Sequence, residues 1–209
     1  MSRERMSDRL GVLGGTFDPP HIGHLIVAQD VVEGLQLDRL LIVPSGRPPH
    51  REAVLSPALR LELVLGVFGV DSRFEVCRVE VERPGPSYTV DTLRWIRDTY
   101  DPATLYCVIG ADQFRVIDSW NRYEELVRWS RLAVMARGGD PPVAGEVELP
   151  FESVAVTRVD VSSTRVRERL REGRSIRYLV PESIRGRVEE GWRARCGADG
   201  GHRTERNGG

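Results

Sequence analysis

Lysine is absent from this 209-residue sequence, and all 30 residues of its lysine-plus-arginine count are arginines. We attribute the bias mainly to genome base composition. It excludes a Schiff-base lysine and the lysine of a P-loop, so any cationic group in a catalytic site must be arginine or histidine. The formal net charge of -1 gives no indication of nucleic acid or of an anionic membrane surface as a partner.

Cysteines and long apolar runs are also scarce. Cys77, Cys107 and Cys196 form no C-x-x-C pair, so neither a disulfide framework nor a zinc site is expected, and the first two are predicted to be small buried residues. No apolar stretch is long enough to span a membrane. Because the charged N-terminus lacks the apolar core of a signal peptide, we expect a cytoplasmic protein. The composition is compatible with a homo-oligomer.

Short apolar segments alternate with helical patterns along the chain. Strands are predicted at residues 10–15, 40–43, 74–81, 105–109, 132–136 and 154–157. Helices are predicted at residues 22–35, 58–70, 88–100, 124–129, 162–172 and 181–192. This alternation indicates an α/β fold with a doubly wound parallel sheet, arranged in three layers as α/β/α.

The chain shows no repeat and no linker between two cores. We therefore expect a single domain over residues 9–195, with 162–195 as its C-terminal helical part. Residues 1–8 and 197–209 are predicted to be disordered tails, because they have little or no apolar content.

The stretch LGGTFDPPHIGHL, residues 13–25, brings two glycines, two prolines and two histidines together. Gly14 and Gly15 end the first predicted strand, and ligands of doubly wound sheets bind beyond the carboxyl ends of the strands. His21 and His24 are three residues apart in the first turn of the next helix, where free N–H groups and the helix dipole favour an anion. The stretch therefore predicts an anion site, with phosphate as the best-fitting anion.

Other phosphate and metal motifs fit this stretch poorly. The glycines at 11, 14 and 15 do not make G-x-G-x-x-G, no lysine completes a P-loop, and H-I-G-H lacks the spacing and glutamate of H-E-x-x-H. A purely structural role, in which both histidines cap and pack the helix, stays open as the alternative.

GTFDPPHIGH resembles the signature of the H-x-G-H nucleotidyltransferase superfamily, which has a Rossmann-like fold. Four further segments resemble bacterial nicotinate-nucleotide adenylyltransferases in particular and follow in that family's order. They are PSGRPPH (44–50), GPSYTVDTL (85–93), IGADQFRVIDSW (109–120) and VSSTRVR (161–167), the last followed by YLVP (178–181). The chain departs from the family at Arg51, where lysine is usual.

The resemblance implies transfer of AMP from ATP to nicotinate mononucleotide, giving nicotinate adenine dinucleotide and pyrophosphate. It implies catalytic roles for His21, His24 and Arg167. The implied ATP-binding residues are Gly14, Gly15, Thr16, Phe17, His24, Gly110, Asp112, Ser163, Thr164 and Arg167. The implied mononucleotide-binding residues are His50, Arg51, Tyr88, Thr89, Trp120 and Arg137. We expect no preformed metal site, and Mg²⁺ to arrive with ATP and be held by its phosphates and water.

Several alternatives stay open at this point. Trp120 stacks on the pyridine ring or is a core tryptophan, Tyr88 is a ligand or a structural residue, and Asp112 binds a ribose or caps a helix. Within the superfamily, the acceptor could instead be nicotinamide mononucleotide or phosphopantetheine, or the enzyme a cytidylyltransferase. In another class, the chain would be a non-catalytic nucleotide-binding module.

Overall fold

The computed structural model describes residues 8–49, 52–136 and 148–200, with side chains up to residue 195. The strands are β1 (Arg9–Gly15), β2 (Arg39–Pro44), β3 (Phe74–Val76), β4 (Thr104–Gly110), β5 (Arg131–Ala136) and β6 (Phe151–Ala155). The helices are α1 (Ile22–Gly34), α2 (Pro57–Phe68), α3 (Val79–Glu82), α4 (Thr89–Tyr100), α5 (Ala111–Phe114), α6 (Tyr123–Trp129), α7 (Ser163–Arg171) and α8 (Glu182–Gly200). A single 3-10 turn at Ile117–Ser119 separates α5 from α6.

The strands form one parallel sheet in the order β3-β2-β1-β4-β5-β6. The order reverses between β1 and β4, because the chain leaves β1 to build one side of the sheet and returns to build the other. A crevice opens at such a reversal, beyond the carboxyl ends of the two strands, and ligands of open α/β sheets bind there.

The two faces of the sheet carry two separate cores, and neighbouring strand residues alternate between them. In β1, Leu13 belongs to the core under α1, α2, α7 and α8, whereas Val12 belongs to the core under α4 and α6. In β4, Tyr106 and Val108 face the first core and Cys107 faces the second. Helices therefore cover both faces, which confirms the predicted three-layer α/β/α arrangement.

The predicted strand at 74–81 is wrong beyond Val76, because the chain turns into α3. The Leu40 N–H donates to the Arg73 carbonyl, and the Cys77 N–H donates to the Ile42 carbonyl. Continuing this parallel ladder would require an N–H at Pro44, and proline has none. Strand β2 therefore has no N–H group to donate to the residue that would follow the end of β3.

The last helix, α8, extends to Gly200 and so includes residues 197–200, for which we expected no regular structure. The other predicted elements lie within a few residues of their predicted bounds, whereas α3, α5 and the 3-10 turn were not predicted. Cys77 and Cys107 are buried, as predicted, and the side chain of Cys196 lies outside the description. In the part of the chain that is described, no helix combines the length and apolar character needed to cross a membrane.

Candidate active site

A cavity of about 410 Å³ opens at the carboxyl ends of β1 and β4, where the strand order reverses. Eight of the residues predicted for ligand binding line it together: Gly14, Gly15, Thr16, Tyr88, Thr89, Gly110, Asp112 and Trp120. This set contains members of both implied groups, the ATP-binding residues and the mononucleotide-binding residues. One continuous cavity is therefore lined by residues implied for both ligands.

The two histidines stand beside this cavity at the start of α1. His21 is the N-cap residue, and the centroids of the His21 and His24 rings are 3.7 Å apart. The backbone N–H of His21 donates to Nδ1 of His24 at 3.0 Å. Because Nδ1 accepts this bond, the proton of the neutral His24 ring lies on Nε2, which makes Nε2 the donor nitrogen of the ring.

A steric constraint explains why the third residue of H-I-G-H is glycine. A Cβ atom on Gly23 would stand 3.1 Å from Nδ1 of His21, a distance that packed side chains rarely accept. Glycine at this position lets the His21 ring fold back over the first turn of α1 and lie against the His24 ring. The histidine pair is thus a product of one local sequence.

Helix α7 brings a second group of predicted residues to the same loop. Ser163 Oγ donates to the Pro19 carbonyl at 2.8 Å, and the Arg167 guanidinium donates to the Asp18 carbonyl at 2.7 Å and to Thr164 Oγ1 at 3.1 Å. These three residues therefore lie against the loop that joins β1 to α1, some 145 residues earlier in the chain. The same loop leads into His21, the N-cap residue of α1.

The side chain of Phe17 points away from the cavity. It is 2% exposed, belongs to the core under α1, and packs with its ring centroid 4.9 Å from that of His24. Only the backbone of Phe17 is left to face a nucleotide, which is the kind of contact that we expected there.

The remaining predicted residues occupy mixed positions. Tyr88 is the N-cap of α4, and Trp120 follows the 3-10 turn; both line the cavity and also pack against the core under α4. Asp112 lies in the first turn of α5, and the N-cap residue of that helix is Gly110. The alternative that Asp112 is the N-cap is therefore wrong. His50, Arg51 and Arg137 lie outside the described residues.

Sequence reasoning missed Arg60, which is fully buried beneath the site. Its guanidinium donates to four carbonyl oxygens, those of Thr16, Ser45, Gly46 and Leu55, at 2.6–3.1 Å. Burial lowers its pKa, and the neighbouring Asp18 and Glu80 carboxylates oppose that shift. A signal was available, because Arg60 is the first member of the buried stripe 60, 63, 64, 67 and 68 of α2.

Sequence reasoning also missed Asp18 and Glu80, two buried acids. The Asp18 carboxylate accepts the backbone N–H groups of Val54 and Leu55, both at 2.8 Å, and so ties the segment before α2 to the histidine loop. Glu80 is 7% exposed, and burial raises the pKa of its carboxyl group. Glu80 was missed because residues 74–81 were predicted to be one strand, whereas Glu80 lies in α3.

A metal site is not formed by the protein alone within the described residues. No group of three or more His, Cys, Asp or Glu side chains there has the arrangement needed to hold an ion. The Asp18 carboxylate is already engaged by two backbone N–H groups and lies 3.6 Å from the Arg167 guanidinium.

Comparisons with known proteins agree with this geometry. Residues 12–169 match the family model described as cytidylyltransferase-like. The chain is 43% identical over 182 residues to a Thermus thermophilus protein named "Probable nicotinate-nucleotide adenylyltransferase", covering 87% of this chain and 97% of the relative. It is 42% identical to an Exiguobacterium sibiricum protein of the same name, covering 87% and 96%.

A solved structure shares the fold at low sequence identity. It is the nicotinic acid mononucleotide adenylyltransferase of Plasmodium falciparum complexed with NaAD, with a TM-score of 0.70 and 17% identity, covering 90% of this chain and 98% of that one. At this identity the likeness shows the architecture of the sheet and its helices.

Proposed function

Because the chain belongs to the nicotinate-nucleotide adenylyltransferase family, we propose that it transfers AMP from ATP to nicotinate mononucleotide, releasing pyrophosphate. One observation carries this proposal beyond the family. Residues implied for ATP, such as Gly14 and Gly110 at the strand ends, and residues implied for the mononucleotide, such as Thr89 and Trp120, line a single cavity. A transfer between two ligands requires that both bind in one space.

The reaction needs little from the protein in the way of proton transfer. A phosphate oxygen of the mononucleotide, already ionised at neutral pH, attacks the α-phosphorus of ATP. A new P–O bond forms while the bond from the α-phosphorus to the bridging oxygen breaks, and pyrophosphate leaves with that electron pair. The protein's contribution is to align two anions and stabilise the charge that develops.

His21 and His24 stabilise the ATP phosphates in this proposal. The backbone contact fixes the His24 ring with Nε2–H as a donor, and the positive end of the α1 dipole adds to its effect. Since this donor is held in place before ATP binds, it costs no reorganisation during the reaction.

Ser163, Thr164 and Arg167 serve the leaving pyrophosphate in this proposal. The Arg167 guanidinium already bridges the Asp18 carbonyl and the Thr164 hydroxyl, so its orientation is fixed. Its planar fork fits two phosphate oxygens at once.

The mononucleotide is assigned to the opposite wall of the cavity. Trp120 offers a flat surface to the pyridine ring, and Thr89 with the first N–H groups of α4 offers donors to the nicotinate carboxylate. His50, Arg51 and Arg137 complete the assignment as phosphate contacts, on the strength of the family resemblance.

Mg²⁺ is proposed to enter as a complex with ATP. The carboxylates fit this role better than they fit a preformed site, because Asp18 is engaged and Asp112 is a single exposed acid near the strand ends. Asp112 is the residue available to contact the ion or its water shell, and the ion neutralises phosphate charge when bound.

We further propose that residues 9–195 form a single domain. One core includes residues from Leu13 in β1 to Val188 in α8, which supports this assignment. A cytoplasmic location and the absence of a nucleic-acid partner remain predictions from the sequence, which leaves the oligomeric state, including a homo-oligomer, open.

Pyrophosphate release tests the proposed function directly. The purified chain with Mg²⁺ and ATP is assayed with nicotinate mononucleotide, nicotinamide mononucleotide and phosphopantetheine in turn. We expect kcat/KM to be highest for nicotinate mononucleotide by at least about 10-fold, which corresponds to about 1.4 kcal/mol of discrimination. A better acceptor would replace the substrate assignment. ATP binding without turnover of any acceptor would identify a non-catalytic module.

A further inference from the structure

We propose that Glu80 is a positioning residue that holds the loop 45–49 against the turn 86–89 and so sets the shape of the acceptor half of the cavity. This inference rests on the proposed function, because it concerns how the mononucleotide wall is built. Neither segment belongs to a helix or a hairpin that includes Glu80. A side chain is therefore needed to connect the two segments.

Three hydroxyl groups converge on the Glu80 carboxylate. Thr92 Oγ1 in α4 donates to it at 2.7 Å, and Ser45 and Ser87 line the same cavity beside Glu80, where their hydroxyls oppose the rise that burial causes in the pKa of its carboxyl group. Each comes from a different segment: the loop after β2, the turn before α4, and α4 itself. A single buried acid thus draws three segments together.

Ser87 connects Glu80 to the loop 45–49. Its Oγ accepts the backbone N–H of Gly46 at 2.9 Å and that of Arg47 at 3.1 Å, while its own N–H donates to the Arg47 carbonyl at 2.9 Å. Since two donors occupy the lone pairs of Ser87 Oγ, its hydroxyl proton is the part that turns to Glu80. Removing the carboxylate removes the acceptor that orients this hydroxyl.

The loop also lies directly on the backbone of α3. A Cβ atom on Gly46 would overlap the carbonyl of Glu80. Glycine at this position therefore permits the close approach that the hydrogen bonds require. From below, Arg60 holds the Ser45 and Gly46 carbonyls, so the loop is clamped from both sides.

The clamped segments face the acceptor rather than ATP. Ser45, Pro48 and Pro49 line the cavity next to Tyr88 and Thr89. The histidine loop and α7 make none of their described hydrogen bonds to Glu80. Loss of Glu80 should therefore weaken binding of the mononucleotide more than binding of ATP.

The test measures the two KM values separately in the wild-type chain, Glu80→Ala and Glu80→Gln. In Glu80→Ala we expect KM for nicotinate mononucleotide to rise about 10-fold, with KM for ATP within about 2-fold of wild type. Glu80→Gln keeps an acceptor oxygen for the hydroxyls and should recover to within about 3-fold of wild type. Glu82→Ala is the matched control, because Glu82 is an exposed acid on the same short helix.

Equal rises in both KM values would overturn the proposal, as would a change in melting temperature alone or a glutamine variant as impaired as the alanine one. If Glu80→Ala does not fold, Ser87→Ala provides the second test. It removes the hydroxyl that accepts the Gly46 and Arg47 N–H groups and removes no donor from the carbonyls that Arg60 holds, so the same selective rise is expected. If the wild type prefers another acceptor, the proposed function is wrong, but this inference can still be tested. KM for that acceptor is then compared with KM for ATP in the same variants.

Discussion

The two halves of the site are built in different ways. The phosphate half takes its histidines from one continuous stretch, in which each residue positions the next: Gly23 admits the His21 ring, and the His21 N–H orients His24. The acceptor half combines segments 40 residues apart, joined by buried polar side chains. Local geometry is thus sufficient for the first half, while the second depends on tertiary structure.

Arg60 is the point at which the two halves meet. Its guanidinium holds the Thr16 carbonyl in the phosphate half and the Ser45 and Gly46 carbonyls in the acceptor half. Variants that separate the halves, or disturb both at once, therefore show how independent they are.

The largest effect is expected for Arg60→Met, which should disturb both halves. Loss of the guanidinium leaves four buried carbonyls without their donor, and each unpaired group costs roughly 1–3 kcal/mol. We expect the free energy of unfolding to fall by about 3 kcal/mol or more, measured by urea denaturation. Arg94→Met replaces an exposed arginine of α4 and should change it by less than about 0.5 kcal/mol. A loss no larger than that of the control would contradict the clamp.

His24→Ala should damage the phosphate half alone. Removing one preorganised donor lowers turnover on the order of 10²-fold, so kcat should fall by about that factor while KM for the mononucleotide stays within about 2-fold. Steady-state pyrophosphate release gives both values. Gln29→Ala, at an exposed position of the same helix, is the control, and near-normal kcat in a folded His24→Ala protein would remove His24 from the mechanism.

Arg167→Lys is expected to have a smaller effect on the same half. Lysine keeps the charge but cannot bridge the Asp18 carbonyl, the Thr164 hydroxyl and a phosphate as the planar fork does. We expect kcat/KM for ATP to fall about 10-fold. Arg165→Lys changes an exposed arginine of α7 and should leave kinetics unchanged. A similar loss in both variants would indicate a general charge effect.

The smallest effect is expected for Trp120→Phe, in the acceptor half. Phenylalanine keeps an aromatic face but reduces its area, and an aromatic contact contributes about 0.5–1.5 kcal/mol beyond burial. We expect KM for the mononucleotide to rise about 3-fold with KM for ATP unchanged. Comparable changes in both KM values would place Trp120 in the core rather than at the ligand.

The difference between the halves also explains what could be predicted from the sequence. Buried strands such as β1 and β4 are short apolar runs, and the histidine loop is a contiguous motif. Both could therefore be predicted from the sequence. Glu80 could not, because a charged residue in a sequence looks exposed until its partners are known, and the only signal for Arg60 was its place in the apolar stripe of α2. The error at 74–81 has the same origin: the strand ends because of Pro44 in a different strand.

The clamp formed by Arg60 has a practical consequence for engineering. Exchanging the loop 45–49 for that of a relative with another substrate looks like a simple graft of a surface segment. The carbonyls of Ser45 and Gly46 share one guanidinium with those of Thr16 and Leu55, so an altered backbone path in the graft would also reach the glycine-rich turn. Redesign of specificity in this scaffold must therefore transplant the loop together with its buried supports.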